Sequence, residues 1–229
     1  MDVLTQIRWE QLFDLELAVE SAPYILEGLA ATIWMSLVSM AIGLLLGLIT
    51  AVGRMSNNFL FQWIARAYIS IIRGTPLLVQ LFILYFGLPV IGIKLTATLA
   101  GIIGLSLNVG GYSAETIRGS ILSIPKGQWE AASSLNMTYW QTMRRVIIPQ
   151  AARVALPSLA NTFLSLVKDT SLLAMITVNE MFYHAKIVGA RAFDYMTVYI
   201  LVAFFYWVIC TLLNIVQEKL EKRYGRYAA

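Results

Sequence analysis

Long apolar segments alternate along the chain with short charged ones. Four apolar runs of about twenty residues or more contain no charge, and a fifth is interrupted only by Lys168 and Asp169. A helix of about 20 residues crosses the roughly 30 Å hydrocarbon core of a bilayer, and lipid cannot satisfy open backbone groups. Each run is therefore predicted to be a transmembrane helix. The predicted spans are residues 28–53, 68–90, 96–117, 154–178 and 195–217.

Proline and glycine residues modify two of these spans. Pro76, near the start of the second span, implies a kink or a late helix start, because proline lacks a backbone N–H. Gly43 and Gly47 form a G-x-x-x-G pair in the first span. Such small residues let helices approach closely, although glycine is also simply tolerated in membrane helices.

This pattern divides the chain into three regions and predicts an all-α integral membrane protein with five transmembrane helices. Residues 1–23 are predicted to form an amphipathic segment on the outer face. No basic stretch and no small-residue cleavage site typical of a signal peptide precedes the first span. Residues 24–217 form the transmembrane domain, with a long loop at 118–150, and residues 218–229 form a basic tail.

The loop at 118–150 is predicted to contain a short helix over residues 126–135. Pro125 suits the start of this helix, and the residues that follow favour helix apart from Gly127. Ten residues rise only about 15 Å, which is too little to cross a bilayer. Considered without other information, this helix suits an amphipathic linker that lies on the membrane surface.

A sharp turn is predicted directly after this helix. Asn136 occupies the position where helices stop with a left-handed residue, and asparagine is second only to glycine there. Thr138 and Gln141 have the spacing of a capping box, which predicts that a second helix starts here and runs toward Pro149.

Composition and charge determine the predicted orientation. The chain is 59% hydrophobic and 13% charged, whereas a soluble domain has about 25% charged residues. With the N-terminus outside, eleven lysines and arginines fall on the inner side and four on the outer side. This bias predicts an outer N-terminus and a cytoplasmic C-terminus. The net charge of +4 therefore reflects membrane topology and not a nucleic-acid partner.

The inner loop resembles the EAA loop of ABC importer permeases, whose pattern is E-A-A-x3-G-x9-I-x-L-P. The matching residues here are Glu130, Ala131, Ala132, Asn136 in place of glycine, Val146, Ile148 and Pro149. In that family the loop is a coupling helix that docks in a groove of a separate ATPase subunit. The resemblance implies that the ATPase contacts Gly127, Trp129, Glu130, Ala131, Ala132, Leu135 and Asn136.

Three further segments are similar to the polar amino acid permeases within that superfamily. They are "RGTPLLVQLFILYFGLP" at 73–89, "GLSLNVGGYSAETIRGSI" at 104–121 and "LSLVKDTSLL" at 164–173. The resemblance implies a type I ABC importer-like transmembrane domain and uptake of a polar amino acid. The inner loop looks most like that of bacterial L-cystine permeases, with glutamine, arginine or histidine as the alternatives.

The same resemblance implies the partners and the location. They are a pair of ATPase subunits, a second identical or related permease, an extracellular or periplasmic solute-binding protein, the amino acid and the lipid of a bacterial cell (inner) membrane. The chain has no G-x-x-x-x-G-K-[ST] loop, so ATP and magnesium are expected in the partner ATPase and no cofactor in this chain.

Polar residues within the spans are the candidates for a substrate pathway, since a charge costs roughly 2.5–3.5 kcal/mol to insert at the centre of a membrane helix. Asp169 could accept hydrogen bonds from the ammonium group of an amino acid, and Asn108, Tyr112 or Thr170 could donate to its carboxylate. The full candidate set is Asn108, Tyr112, Glu115, Lys168, Asp169, Thr170 and Ser171.

Less specific interpretations of these charges stay open. Lys168 and Asp169 could neutralise each other or cap a broken helix, and Glu115 could form a structural ion pair with Arg118, three residues later. Arg73 is expected to be an interfacial anchor.

Two other classes of function fit the sequence less well. An ion-coupled secondary transporter would need inverted repeats, and no internal duplication is visible. An enzyme would need a nucleophile motif or a metal-ligand cluster, and neither is present in the sequence. His184 is the only histidine and is expected to be a surface residue of an outer loop. We therefore expect a transport subunit that is not an enzyme and binds no metal.

Overall fold

The computed structural model describes the backbone of residues 12–225 and the side chains of residues 12–219, and this part of the chain is helical without any strand. The α-helices are α1 (Leu15–Glu27), α2 (Leu29–Met55), α3 (Phe59–Gly74), α4 (Leu77–Phe82), α5 (Ala97–Leu122), α6 (Lys126–Ser134), α7 (Tyr139–Thr142), α8 (Ile148–Asp169), α9 (Met181–Ala192) and α10 (Tyr195–Gly225). Wider π turns occupy Ile83–Gly87 and Met143–Ile147, and 3-10 turns occupy Leu88–Ile91 and Thr170–Ile176.

Among the described residues, three helical segments are long and apolar enough to cross a membrane: Leu15–Met55, Tyr139–Ile176 and Tyr195–Lys219. Phe59–Gly74 and Leu77–Ile91 make a fourth if the bent pair is counted as one span. The remaining predicted span, 96–117, lies in α5, which has 26 residues and is not among these candidates. Glycine, serine and asparagine lower the hydropathy of α5, which suits a helix that is largely covered by other helices.

The second predicted span, 68–90, is not one continuous helix. α3 begins earlier, at Phe59, and ends at Gly74, and α4 starts again at Leu77 with an angle of 104° between the two limbs. The kink predicted at Pro76 is therefore present as a complete break. Proline provides no N–H for the preceding turn and disfavours a helical conformation of the residue before it, and Thr75 is accordingly extended, which ends the helix here.

The N-terminal region also differs from the expected separate segment. α1 follows an Asp14 cap and is joined at Gly28 to α2, so that the two helices together form a candidate span of 41 residues. Residues 1–11 of the predicted outer segment lie outside the described residues. At the other end, α10 continues to Gly225, so the first part of the predicted basic tail is helical.

Helix α5 packs closely against α2 through glycines. A Cβ placed on Gly43 would lie 2.5 Å from the Val109 Cβ, and one on Gly47 would lie 2.8 Å from the Ser113 Cβ. Real Cβ atoms essentially never come this close to another heavy atom. The G-x-x-x-G pair therefore allows the two helix backbones to come together, as small residues do in membrane helix pairs.

The start of α9 is fixed by a buried carboxylate. Glu180 caps the helix by accepting hydrogen bonds from the backbone N–H groups of Phe182 at 2.9 Å and Tyr183 at 2.7 Å. The Tyr206 hydroxyl of α10 donates to the same carboxylate at 2.7 Å. Gly28 lies so close that an added Cβ would be 2.4 Å from the Glu180 carbonyl carbon. This cluster ties α9 to both α2 and α10.

The start of α10 is held by a second capping carboxylate. The Thr197 N–H donates to Asp194 at 3.0 Å, and hydrogen bonds from Thr197 hold the pKa of the Asp194 carboxyl below its usual range. The Thr197 hydroxyl also accepts the backbone N–H of Asp14 at 2.9 Å, which connects the beginnings of α10 and α1.

The α2–α5 contact can be tested with Gly43→Ala. We expect the free energy of unfolding to fall by about 1–3 kcal/mol, because a methyl group here overpacks the contact with Val109. The measurement is the thermal unfolding midpoint of the purified transporter complex.

Gly119→Ala in α5 is the matched control, since a Cβ at Gly119 would meet nothing within 4 Å. We expect it to be neutral or to stabilise by about 0.5–1 kcal/mol. Equal midpoints for Gly43→Ala and Gly119→Ala would contradict the close packing of α2 on α5.

Candidate functional site

The break in the second span forms one wall of an open cavity of about 740 Å³. The middle of α5 and the second half of α8 form the other walls. The lining residues are Arg73, Gly74, Thr75, Pro76, Leu77, Asn108, Val109, Tyr112, Ser158, Asn161, Thr162, Ser165, Leu166 and Asp169.

Arg73 lies in the cavity wall at the end of α3. Its expected role as an interfacial anchor stays a prediction. Its guanidinium carbon lies 5.2 Å from the centre of the Tyr112 ring, which orients the cation over an aromatic face. Both ion pairs found among residues 12–219 belong to Glu115, so no described carboxylate neutralises Arg73. In the sequence, the signal that could have identified Arg73 as a cavity residue is a charge three residues before a proline break.

Asp169 lies on the opposite wall, as the last residue of α8. Its carboxylate is half-buried and takes part in neither of the two ion pairs of the described residues. Lys168 is exposed, does not line the cavity and makes no ion pair with Asp169. Consecutive helical residues point about 100° apart, so the Lys168 and Asp169 side chains do not face each other and form no ion pair. Their proposed mutual neutralisation is therefore not supported by an ion pair.

Three of the seven predicted pathway residues come together in the cavity, namely Asn108, Tyr112 and Asp169. Glu115 instead bonds Arg118 at 2.8 Å and Arg54 at 3.4 Å, which confirms the alternative of a structural ion pair and extends it to α2.

The hydroxyl groups of the two other candidates are occupied by the backbone of their own segment. The Thr170 hydroxyl donates to the Val167 carbonyl oxygen and the Ser171 hydroxyl to the Lys168 carbonyl oxygen, both at 2.7 Å. Neither residue lines the cavity, and Thr170 is completely buried.

A polar stripe on α8 was missed by the sequence analysis. Ser158, the adjacent pair Asn161 and Thr162, Ser165 and Asp169 recur at intervals of three to four residues and all line the cavity. This spacing is that of one helix face, so the periodicity of polar residues within an apolar run was the signal that could have identified them.

The cavity therefore offers one cation, one anion and several neutral hydrogen-bonding groups. No group of three or more His, Cys, Asp or Glu residues suited to hold a metal occurs in the part of the chain that the structure describes. His184 lies in α9 with its ring centre 4.6 Å from that of Tyr24, not in a surface loop, and it does not line the cavity. The cation, the anion and the neutral hydrogen-bonding groups of the cavity suit the recognition of a dipolar molecule.

The inner loop folds largely as predicted. α6 covers Lys126–Ser134, Asn136 has a left-handed φ of 54°, and Thr138 forms a reciprocal capping box with Gln141. The second helix, however, does not stop near Pro149. It passes through the π turn Met143–Ile147 and continues as α8, with Pro149 just after the π turn, where the hydrogen-bond ladder already changes register.

Most predicted coupling residues lie on an exposed surface. Leu135 is 76% exposed, and Trp140, which the sequence analysis did not include, is 75% exposed. Trp129 is half-buried and stacks on Tyr139 with ring centres 6.2 Å apart. Ala132 is buried beneath the surface, so it supports α6 from inside, whereas Gly127, Glu130, Ala131 and Asn136 are exposed.

Comparisons with known proteins agree with this architecture. The family described as "Binding-protein-dependent transport system inner membrane component" matches residues 43–226. The chain is 53% identical to the probable amino-acid ABC transporter permease protein YckA of Bacillus subtilis (strain 168), over 98% of this chain and 100% of that protein. It is 49% identical to the L-cystine transport system permease protein TcyB of the same organism, over 90% of this chain and 89% of that protein.

Solved structures show the same fold. An amino acid ABC transporter crystallised with histidines matches with a TM-score of 0.88 and 36% identity, over 92% of this chain and 98% of that chain. The inward-facing MetNI methionine ABC transporter matches with a TM-score of 0.70 at 21% identity, over 88% of this chain and 96% of that chain, which shows the fold alone.

These matches cover nearly the whole chain, and the matching proteins are multi-pass permeases and not catalytic subunits. A permease of this type works with an ATPase and a binding protein. The chain therefore belongs to the family of inner membrane components of binding-protein-dependent transport systems, as an ABC importer permease with the type I fold.

Proposed function

We propose that the chain carries a polar amino acid, with L-cystine as the preferred substrate, through the cavity at the broken span. The observation that supports this most directly is that Arg73 and Asp169 face the same cavity while neither has an ion-pair partner among the described residues. Asp169 is half-buried, and a charge in such a position is normally paired, whereas Arg73 is exposed toward the open cavity. A bound molecule with an ammonium and a carboxylate group would pair both.

The two charges suit the two ends of an amino acid backbone. The Asp169 carboxylate accepts hydrogen bonds from the ammonium group, and the Arg73 guanidinium donates to the carboxylate in a charge-assisted pair. Neutral groups of Asn108, Asn161 and Thr162 remain for the rest of the molecule. Interactions with the common backbone would bind any amino acid, so the choice among them depends on these neutral residues and on the binding protein.

The preference for L-cystine is supported by the 49% identity to the L-cystine permease TcyB. Glutamine, arginine and histidine remain the alternatives. The arginine permease ArtQ of Bacillus subtilis is 35% identical over 92% of this chain, and the probable glutamine permease GlnM is 39% identical over 86%. The higher identity favours cystine.

Energy is proposed to enter through the exposed surface of α6 and the start of α7. ATP binding closes two ATPase subunits, the coupling helix moves with them, and the cavity reopens toward the solute-loaded binding protein. The permease pairs with an identical or related copy. Eleven basic residues inside against four outside support an outer N-terminus and a cytoplasmic C-terminus. An ion-coupled transporter would need none of these partners.

Asp169→Asn tests the cavity. This change keeps the size of the side chain and removes its charge, and we expect uptake of labelled cystine into proteoliposomes to fall at least about tenfold, because a charged hydrogen bond of about 1.5–3 kcal/mol is lost. Assembly with the ATPase should be retained. Lys168→Gln is the matched control, since it removes the adjacent charge outside the cavity. Normal uptake by Asp169→Asn would remove the cavity from the pathway.

Arg73→Gln tests recognition of the substrate carboxylate. We expect the purified complex to bind cystine about ten- to a hundredfold more weakly, while binding of cystamine, which lacks the carboxylates, changes little. The measurement is equilibrium binding of both compounds to the wild-type and variant complexes. An equal loss for cystine and cystamine would show that Arg73 acts on the cavity as a whole and not on the carboxylate.

Glu130→Arg tests coupling. Charge reversal on the exposed surface of α6 should weaken docking of the ATPase, so we expect at least about a tenfold loss of the ATP hydrolysis that the loaded binding protein stimulates. Lys219→Glu, a charge reversal near the inner end of α10, is the control. Unchanged stimulation in Glu130→Arg, or uptake by the permease without its ATPase, would contradict the coupling role and favour an ion-coupled transporter.

A further inference from the structure

The broken span leaves backbone carbonyls without their normal donors. The last turn of any helix has carbonyls that no N–H of the same helix can reach. At the end of α3 the shortage is greater, because the donor that would serve Ile72 belongs to Pro76, which has no N–H. Thr75 is already extended, with φ −125° and ψ 145°. Within a bilayer, such unpaired groups cost several kcal/mol each.

Two side chains supply the missing donors. Nε2 of Gln80 donates to the Ile72 carbonyl oxygen at 2.9 Å, and it also lies 3.2 Å from the Thr75 carbonyl oxygen and 2.9 Å from the Thr75 hydroxyl. The Thr75 hydroxyl in turn donates to the Ile71 carbonyl oxygen at 2.8 Å. Gln80 belongs to α4, so its amide bridges the bend from one limb to the other.

The two limbs are otherwise fixed separately. On α5, a Cβ added to Gly111 would lie 2.8 Å from the Ile72 side chain, and a Cβ added to Gly104 would lie 2.6 Å from the Leu81 side chain. Ile72 of α3 and Leu81 of α4 therefore both pack directly on α5. At the bend itself, by contrast, a Cβ on Gly74 would meet nothing within 4 Å. Packing on α5 therefore holds each limb, while the side-chain hydrogen bonds of Gln80 and Thr75 hold the segment between them.

We propose that Gln80 is a positioning residue for transport, which acts by holding the bend that places Arg73 and the Thr75–Pro76 backbone in the cavity wall. This inference rests on the proposed role of the cavity as the substrate site. Gln80 does not line the cavity, so it acts through the backbone and not by contact with substrate. The buried Oε1 of Gln80 has no hydrogen-bond partner among the described residues. The hydrogen bonds of Nε2 therefore fix the orientation of this amide.

The chemistry predicts which replacements fail. Gln80→Leu keeps a similar volume and removes the donors, and Gln80→Glu places an acceptor against three oxygen atoms. Thr75→Val removes the hydroxyl that connects Gln80 to Ile71, whereas Thr75→Ser retains it. Loss of function in the first three variants with rescue in the fourth is expected of a hydrogen-bonded bridge and not of a space-filling contact.

The test uses the complete transporter of permease, ATPase and binding protein, with two measurements. The first is hydrogen exchange of the amides in peptides that cover residues 73–82, which needs no substrate. The second is the affinity of the complex for labelled cystine, with uptake measured at saturation. In Gln80→Leu we expect exchange to be about tenfold faster and affinity about tenfold weaker, as the loss of one or two hydrogen bonds implies.

Gln62→Leu is the matched control. Gln62 also donates its amide to a backbone carbonyl at a helix end, that of Ser56 at 2.6 Å, but it lies at the start of α3 and does not line the cavity. Its variant should bind cystine as the wild type does. Basal ATP hydrolysis should be unchanged in the Gln80 and Gln62 variants, because neither residue lines the cavity or lies in the loop that is proposed to contact the ATPase.

The outcomes separate this inference from the proposed function. Normal uptake by Asp169→Asn would overturn the proposed function, whatever Gln80 does. If Asp169→Asn is inactive while Gln80→Leu exchanges and binds cystine like the wild type, the positioning role is wrong. Faster exchange in Gln80→Leu with unchanged affinity would reduce Gln80 to a structural residue and would also overturn the proposal.

Discussion

The missing N–H of Pro76 is the constraint on which the cavity depends. A membrane-spanning chain must satisfy its backbone polar groups internally, so a helix can break at membrane depth only where other groups replace the lost hydrogen bonds. Here Gln80 and Thr75 provide the replacement donors. The resulting bend of 104° turns α4 away from α3 and leaves space beside α5 and α8. The cavity that we propose as the substrate route thus exists because other groups satisfy the backbone at the break.

Close packing around α5 makes this arrangement rigid. Glycines on α2 let this helix approach α5 so closely that a Cβ on Gly43 or Gly47 would not fit. The two limbs of the broken span pack on α5 in the same way, at Gly111 and Gly104. Dispersion contacts and small residues stabilise such helix pairs, because lipid provides no hydrophobic driving force between helices.

The connection between the inner loop and the cavity is continuous helix. α7, the π turn Met143–Ile147 and α8 follow one another without an interruption, from the capping box at Thr138 to Asp169 in the cavity. The stacked Trp129 and Tyr139 join α6 to this same helix. A displacement of α6 by an ATPase therefore has a direct mechanical route to one of the two charges that face the cavity.

Local patterns in the sequence were sufficient for the four long helices other than the second span, the inner-loop turn at Asn136, the capping box and a kink at Pro76, since each depends on residues within one or two turns of each other. They did not predict α9 or the full break of the second span. The sequence also placed Asn108, Tyr112 and Asp169 among the pathway candidates. Only the tertiary structure decided which charges share a space: Arg73 lines the cavity together with Asp169, whereas Lys168 and Glu115 do not. The physical reason is that a side chain's surroundings in a helix bundle depend on the bend and rotation of neighbouring helices, which residues distant in sequence determine together.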